Sequence, residues 1–228
     1  TLLLMLGVIK NVVSGDQAVR DGRQMAVKMG YMGGGSLKEL SDCTVGLIGF
    51  GAIARAVADM LQSFGVTVYY TKRHRLSPEE EARYQVQYLP MDELLKTCDM
   101  LSLHVPVTGE TAGMCSREFF TKCRKGSYFI NTSRGELVDD EALREALENG
   151  TIAMAGLDTL DHEPVQKDHP VLSWPEEIME KLLFSPHIGG ITGSSFRRGY
   201  AMIWEDIEKL SRGEKPGHIV NQKELEQR

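Results

Sequence analysis

From residue 44 to residue 185 the chain alternates short apolar runs with amphipathic stretches, and this alternation limits its folds more than any other feature. Residues 44–50, 66–71, 86–89, 100–105, 127–131, 152–157 and 183–185 read as strands. Most are apolar along their length rather than at every second residue, so both faces need covering. That is the condition of a parallel sheet laid between helices. Between these runs, 52–64, 91–97, 116–123, 140–149 and 176–182 read as helices. In the first of them Ile53, Ala56, Val57, Met60, Leu61 and Phe64 recur at helical spacing. Asp139 or Asp140 caps helix 140–149, and Gly150 stops it. The expected class is α/β, a doubly wound parallel sheet.

The turn after the first run is the most informative. Val45-Gly46-Leu47-Ile48 leads into Gly49-Phe50-Gly51-Ala52-Ile53-Ala54, and a helix opens at once. Such a turn sets backbone N–H groups and the positive end of a helix against a pyrophosphate. Gly49 suits the tight turn, Gly51 permits close approach of phosphates, and small Ala54 lets helix and strand pack. The fold is therefore expected to be Rossmann-like and to bind a dinucleotide. NAD-specific sites place an acid about 20 residues on, at the end of the second strand. Here that end reads Tyr70-Thr71-Lys72-Arg73-His74-Arg75, with no acid. A carboxylate there would repel a 2′-phosphate, whereas the Thr71 hydroxyl, Lys72 and Arg73 suit one. NADP(H) is the favoured cofactor, with NAD(H) as the alternative; most charge runs are simply solvated loops.

Three further motifs follow, Asn131-Thr132-Ser133-Arg134-Gly135, then Gly156-Leu157-Asp158 running on to Glu163-Pro164, then Ser185-Pro186-His187-Ile188-Gly189-Gly190. Arg134, Asp158 and His187 each follow a strand-like run on its C-terminal side, the rim where open α/β sheets bind ligands. Taken alone, Arg134 reads as a surface ion pair, Glu163 as a loop charge and His187 as a capping or packing histidine. Together they are what reduction of a 2-keto acid requires. The arginine holds a carboxylate, the histidine moves a proton, and the glutamate favours the imidazolium. The stretch 160–175, with Pro164, Pro170 and Pro175, is long for a structural connection, as functional loops often are.

Composition narrows the classes. A net charge of −6 argues against a general nucleic-acid binder, which needs a basic face. Cys43, Cys98, Cys115 and Cys123 form no CxxC pair and no metal-ligand spacing with the histidines, so no metal is expected and a reduced, cytoplasmic setting fits. No apolar run approaches the roughly 20 residues that span a bilayer. The first residues, Thr1-Leu2-Leu3-Leu4-Met5-Leu6, lack a signal peptide's basic start and cleavage site. They read as the middle of a helix with sequence upstream. Helices are expected at 2–13 and 16–29, split at Ser14-Gly15-Asp16, with Gly33-Gly34-Gly35 as a loop and a final helix at 194–210. This divides the chain into a helical arm (1–40), a dinucleotide-binding domain (41–192) and a C-terminal segment (193–228).

These motifs carry a family likeness. Val45-Gly46-Leu47-Ile48-Gly49-Phe50-Gly51, Leu103-His104-Val105-Pro106 with Thr108 and Thr111, and Asn131-Thr132-Ser133-Arg134-Gly135-Glu136-Leu137-Val138-Asp139 begin it. Gly156-Leu157-Asp158, Glu163-Pro164 and Pro186-His187-Ile188-Gly189-Gly190 complete it. In this order they resemble the cofactor-binding part of the D-isomer-specific 2-hydroxyacid dehydrogenases, which include phosphoglycerate, D-lactate, glyoxylate and hydroxypyruvate reductases. The resemblance implies a small 2-keto or 2-hydroxy acid substrate and a catalytic trio of Arg134, Glu163 and His187. It implies Ala52 and Ile53 at the pyrophosphate and Asp158 near the nicotinamide. Val105, Pro106, Thr111, Thr132, Ser133, Gly189 and Gly190 would lie along the cofactor, with Arg134 and His187 also reaching it.

This chain departs from the family pattern at two positions. Lys72 stands where the family usually has Asp, and Ala52 where it often has a basic residue. The resemblance also implies a substrate-binding domain upstream, with the segment 193–228 crossing back to it. A homodimer is expected, paired through the N-terminal arm, because the apolar stripe at residues 2–9 is too greasy for a free end; the alternative is that it packs on the chain's own sheet or on the upstream domain. A different class, a dinucleotide-sensing module of corepressor type, fits the same motifs, as does a cofactor-binding fragment without activity.

Overall fold

The computed structural model describes residues 1–34 and 37–219. Among these residues, seven strands form one sheet: β1 (Thr44–Ile48), β2 (Thr67–Thr71), β3 (Val86–Tyr88), β4 (Met100–Leu103), β5 (Ser127–Asn131), β6 (Ile152–Leu157) and β7 (Leu182–Phe184). Their order is β3-β2-β1-β4-β5-β6-β7, and every neighbouring pair is parallel. The sheet grows outward in both directions from β1 and β4, so the chain connections diverge there and a crevice opens beyond the C-terminal ends of those strands.

The helices, in chain order, are α1 (Leu2–Ile9), α2 (Val12–Arg20), α3 (Gln24–Gly34), α4 (Ala52–Gln62), α5 (Pro78–Tyr84), α6 (Met91–Thr97), α7 (Arg117–Lys122), α8 (Asp140–Glu148), α9 (Glu176–Met179) and α10 (Gly193–Ser211). On one face of the sheet, buried residues of α1, α4 and α5 (Met5, Val8, Val57, Leu61, Tyr84) pack with Leu47, Tyr70 and Ile130. On the other, residues of α6, α7 and α8 (Leu94, Leu95, Phe119, Phe120, Leu143, Leu147) pack with Leu101 and Phe129. Both faces are covered, as the continuous apolar strands require.

The chain forms two compact units, Thr1–His187 and Ile188–Arg228. In the second, α10 starts with a capping box between Thr192 and Ser195. No single helix among the described residues is long and apolar enough to cross a membrane; α1 and α2 pass that test only as a pair bent by 59°.

Several local expectations are corrected. The first helical break falls at Lys10 and Asn11, where Asn11 takes a left-handed conformation (φ 46) that asparagine tolerates better than most residues. Ser14, Gly15 and Asp16 lie inside α2, and α3 runs on through Gly33 and Gly34; Gly35 and residues 220–228 lie outside the described residues. The polar stretch after β2 contains α5, started by a capping box between Ser77 and Glu80 with Pro78 at the first helical position. The expected helix 176–182 is cut to α9, and Leu182 already belongs to β7.

The apolar N-terminal stripe is divided between core and surface. Leu4, Met5, Val8 and Ile9 are at most 2% exposed, buried against the chain's own sheet. Gly156 in β6 makes room for this: a Cβ there would sit 2.9 Å from the Leu4 Cβ. Leu3 (71% exposed) and Leu6 (37% exposed) of the same stripe stay on the surface.

Candidate active site

The glycine turn closes as its sequence suggests. Gly49 follows β1 with φ +91, its N–H donates to the Thr71 carbonyl at 2.9 Å, and a Cβ on it would strike the His104 carbonyl oxygen at 2.4 Å. Glycine is required there by the fold itself. Gly51 is different. It takes an ordinary extended conformation (φ −91) as the N-cap of α4, and a Cβ on it would meet nothing within 4 Å. Among the described residues no contact asks for glycine at this position.

Gly51 opens onto a cleft of about 550 Å³ at the divergence of β1 and β4. Its walls are the start of α4 (Gly51, Ala52, Ile53), the loop after β4 (His104, Val105, Pro106) and the turn after β5 (Thr132, Ser133, Arg134). Eight of the seventeen cofactor-site residues expected from the sequence therefore share one cleft. Gly49 forms the turn behind it. Thr111 organises the loop after β4, its hydroxyl donating to the Pro106 carbonyl at 2.7 Å and accepting from Thr108 N–H at 2.8 Å. The Ser133 hydroxyl donates to the Leu103 carbonyl at 2.8 Å, and the Thr132 hydroxyl meets that of Thr1 at 2.8 Å. Burial pushes His104 down to about 4, so it lines the cleft uncharged at neutral pH.

At the end of β2, Thr71 is buried, Lys72 half-buried and Arg73 exposed. Arg73 pairs with Glu110 from the loop after β4. Arg75 is taken up by the fold: it pairs with Glu81 at 2.8 Å and lies over the Tyr88 ring. The backbone there carries no acid in sequence from Tyr70 to Arg75.

Beyond β5, β6 and β7 two further cavities meet at one pair of side chains. His187 Nδ1 lies 2.6 Å from Glu163 Oε2, and both residues line a cavity of about 420 Å³ together with Arg134 and a second of about 510 Å³ together with Asp158. His187 follows β7 and Pro186 with a left-handed backbone (φ 53), an unfavourable conformation for a histidine and a kind of strain that concentrates at functional sites. Glu163 Oε1 accepts from the Leu160 N–H at 3.1 Å, which fixes the carboxylate. Arg134 follows β5, exposed, with Nη1 donating to the Ser133 carbonyl at 2.7 Å. Asp158, 5% exposed, accepts from the Ser185 hydroxyl. Gly189 and Gly190 belong to the second unit, where the Ser195 hydroxyl donates to the Gly190 carbonyl.

Two supporting residues were not singled out from the sequence. Asn131 accepts from the Ser133 N–H at 3.0 Å and donates to the Arg134 carbonyl at 2.8 Å, shaping the turn that presents Arg134. An Asn at a strand end followed by Thr-Ser is the sequence signal for such a side-chain-to-backbone turn. Ser185, which holds Asp158, has no local signal, because the partners meet only through the pairing of β6 with β7.

Comparison with known proteins matches this architecture to one family. The profile of the D-isomer specific 2-hydroxyacid dehydrogenase NAD binding domain matches residues 2–189. The chain is 34% identical over 225 residues to a glyoxylate reductase of Korarchaeum cryptofilum, covering 96% of this chain and 64% of that protein. It is 37% identical over 153 residues to the human glyoxylate reductase/hydroxypyruvate reductase, covering 67% of this chain and 45% of that one. Among solved structures, a glyoxylate reductase from Paecilomyes thermophila superposes with a TM-score of 0.81 at 28% identity, over 97% of this chain and 63% of the other. A D-lactate dehydrogenase with NAD+ from Lactobacillus jensenii does so with a TM-score of 0.79 at 28% identity, over 96% and 66%. The chain thus spans just under two thirds of the length of the first of these relatives.

Proposed function

This chain belongs to the D-isomer-specific 2-hydroxyacid dehydrogenase family, and from that premise we propose that it carries the dinucleotide site and the catalytic side chains of an enzyme that transfers a hydride between a nicotinamide cofactor and a small 2-keto or 2-hydroxy acid. The observation that carries this reading is the His187–Glu163 contact of 2.6 Å on a cavity that Arg134 also lines. In the direction of reduction, negative charge grows on the carbonyl oxygen of the substrate. His187 donates a proton to that oxygen as general acid. Glu163, bonded to Nδ1, holds the ring in one orientation and leaves Nε2 to act. Arg134 forks onto the substrate carboxylate and polarises the carbonyl.

The residues present fit a dinucleotide. Gly51 lacks a Cβ where only a ligand would need the space, and the N–H groups at the start of α4, with Ala52 and Ile53, would hold a pyrophosphate. Gly49 shapes the turn, Thr111 the adjoining loop, and Val105, Pro106, Thr132 and Ser133 would lie along the molecule, with Asp158 near the nicotinamide. When bound, the cofactor supplies the hydride. We assign the preference to NADP(H), with Thr71, Lys72 and Arg73 at the 2′-phosphate and NAD(H) as the alternative, because the strand end carries bases and no acid. The buried thiols fit a cytoplasmic setting. Residues 193–228 are assigned to a segment crossing back to a substrate-binding domain, 1–40 to a helical arm, and the assembly to a homodimer.

Turnover tests the reading. The full-length protein should oxidise NADPH or NADH with glyoxylate, hydroxypyruvate or pyruvate. Tight dinucleotide binding with no turnover on any of them would favour instead a dinucleotide-sensing module.

A further inference from the structure

The loop that carries Glu163 is held at a point outside the trio. His169 is 6% exposed and heads the 3-10 turn Pro170–Ser173. The Val171 N–H donates to its Nδ1 at 3.3 Å, so the ring hydrogen sits on Nε2, which donates to the Asp161 carbonyl at 2.9 Å. From another side the same backbone is pressed by Gly135. A Cβ on Gly135 would lie 1.9 Å from the Leu160 carbonyl carbon and 2.1 Å from the Asp161 nitrogen, atoms that cannot rotate away. Leu160 in turn donates its N–H to Glu163 Oε1, whose other carboxylate oxygen meets His187. Gly135 directly follows Arg134. Three consecutive peptides are therefore held: Glu163 accepts from the Leu160 N–H, Gly135 lies against the peptide joining Leu160 to Asp161, and His169 bonds the next one at the Asp161 carbonyl.

We propose that His169 and Gly135 are positioning residues that clamp the adjoining peptides at Leu160 and Asp161 and so hold Glu163 on His187, and both at a fixed separation from Arg134. The proposal rests on the reading of the trio given above. His169 touches no reacting group; it acts through the Asp161 carbonyl. Without its donor, the carbonyl of half-buried Asp161 loses the bond that ties the loop to His169, and the loop is free to shift. A displacement of about 1 Å in a catalytic arrangement costs up to about 10²-fold in rate.

The experiment compares His169→Leu, His169→Gln, Glu163→Gln and the His169→Leu/Glu163→Gln pair in the full-length protein. Gly135→Ala meets backbone and is expected to lower Tm along with activity, so the decision falls on His169. Two readouts are taken: steady-state kcat and KM, and the NMR cross-peak of the His187 ring, assigned by its loss in His187→Ala. His169→Leu should lower kcat about 10–10²-fold with the KM for the dinucleotide unchanged. It should also move the His187 cross-peak toward its position in Glu163→Gln. His169→Gln, whose side-chain amide restores a donor, should recover most of both effects. In the Glu163→Gln background, His169→Leu should add less than about twofold, since the two act through one contact. A lowered Tm with kcat and the His187 signal both at wild-type values would overturn the clamp. If the wild type turns over no 2-keto acid, the dehydrogenase reading fails, and the His187 cross-peak still decides the clamp by itself.

Discussion

The two ends of the parallel sheet use polar residues in opposite ways. At the N-terminal ends of the strands, Asp99 is 6% exposed and saturated with partners. Its carboxylate accepts from the Thr44 N–H at 3.0 Å and hydroxyl at 2.9 Å and from Lys38 at 3.0 Å, and forms an ion pair with Arg124 at 3.0 Å. At the C-terminal ends, Arg134, Glu163 and His187 stand exposed around open cavities, and His187 holds a strained backbone. The Asp99 cluster ties the beginnings of β1, β4 and β5 together and leaves no group over for a ligand. Stability is concentrated at one end and reactivity at the other, and substitutions at the two ends should separate accordingly.

The largest expected effect lies at the reactive end. In the full-length protein His187→Ala should lower kcat by about 10²–10⁴-fold, the usual cost of losing a general acid, with dinucleotide affinity and Tm nearly unchanged. A matching fall in Tm would blur the separation of the two ends.

Asp99→Asn should do the reverse. It should cost about 1–3 kcal/mol of stability, mostly through the Thr44 hydrogen bonds, since Lys38 and Arg124 are partly exposed and screened. Burial alone would raise the Asp99 carboxyl, but the bonds from Thr44 and Lys38 outweigh it and hold it below the usual carboxylate range. A depressed folded value stabilises above the unfolded value, and that contribution is lost as pH falls through the folded one. Followed by circular dichroism, wild-type stability should therefore fall more steeply below about pH 4 than that of Asp99→Asn, and the two should converge as the carboxyl is protonated.

Smaller changes are expected from the basic loop. Lys72→Asp with Arg73→Ala should shift the ratio of NADPH to NADH affinity toward NADH by about tenfold or more, without a change in Tm. A wild type that already prefers NADH would assign the loop to solvent and to the Arg73–Glu110 pair alone.

The smallest effect expected is none. All four thiols are buried, and burial pushes Cys98 and Cys123 up to about 12 and raises Cys43 and Cys115 as well. At pH 8 a disulfide reagent should modify no cysteine of the native protein within minutes and should label all of them after unfolding. Rapid labelling of any one would reveal local opening at that site.

Much of the reactive end was legible in the sequence because its motifs are local. A strand, a glycine turn and a helix start occupy consecutive residues, and Arg134 and His187 each stand a few residues past a strand. The helix α5 was equally legible, since Ser77-Pro78-Glu79-Glu80 spells a capping box, but the charge of that stretch masked it. What the sequence could not show was tertiary. That residues 2–9 lie on β6 depends on Gly156, far along the chain, and the same apolar stripe would look identical on a subunit interface. The Asp99 cluster draws residues from four separate segments, each ordinary alone. Ser185 and His169 act through strand pairing and a loop closure that no spacing encodes.

The claim that Gly51, unlike Gly49, serves a ligand rather than the fold is tested most directly by replacing it. Gly51→Ala places a Cβ where the protein itself has nothing within 4 Å, on a backbone that alanine adopts readily. Its dinucleotide affinity, by calorimetric titration, and its Tm should be measured beside those of wild type. The account predicts an affinity lowered by about tenfold or more with Tm unchanged. Unaltered affinity for both NADPH and NADH would contradict it.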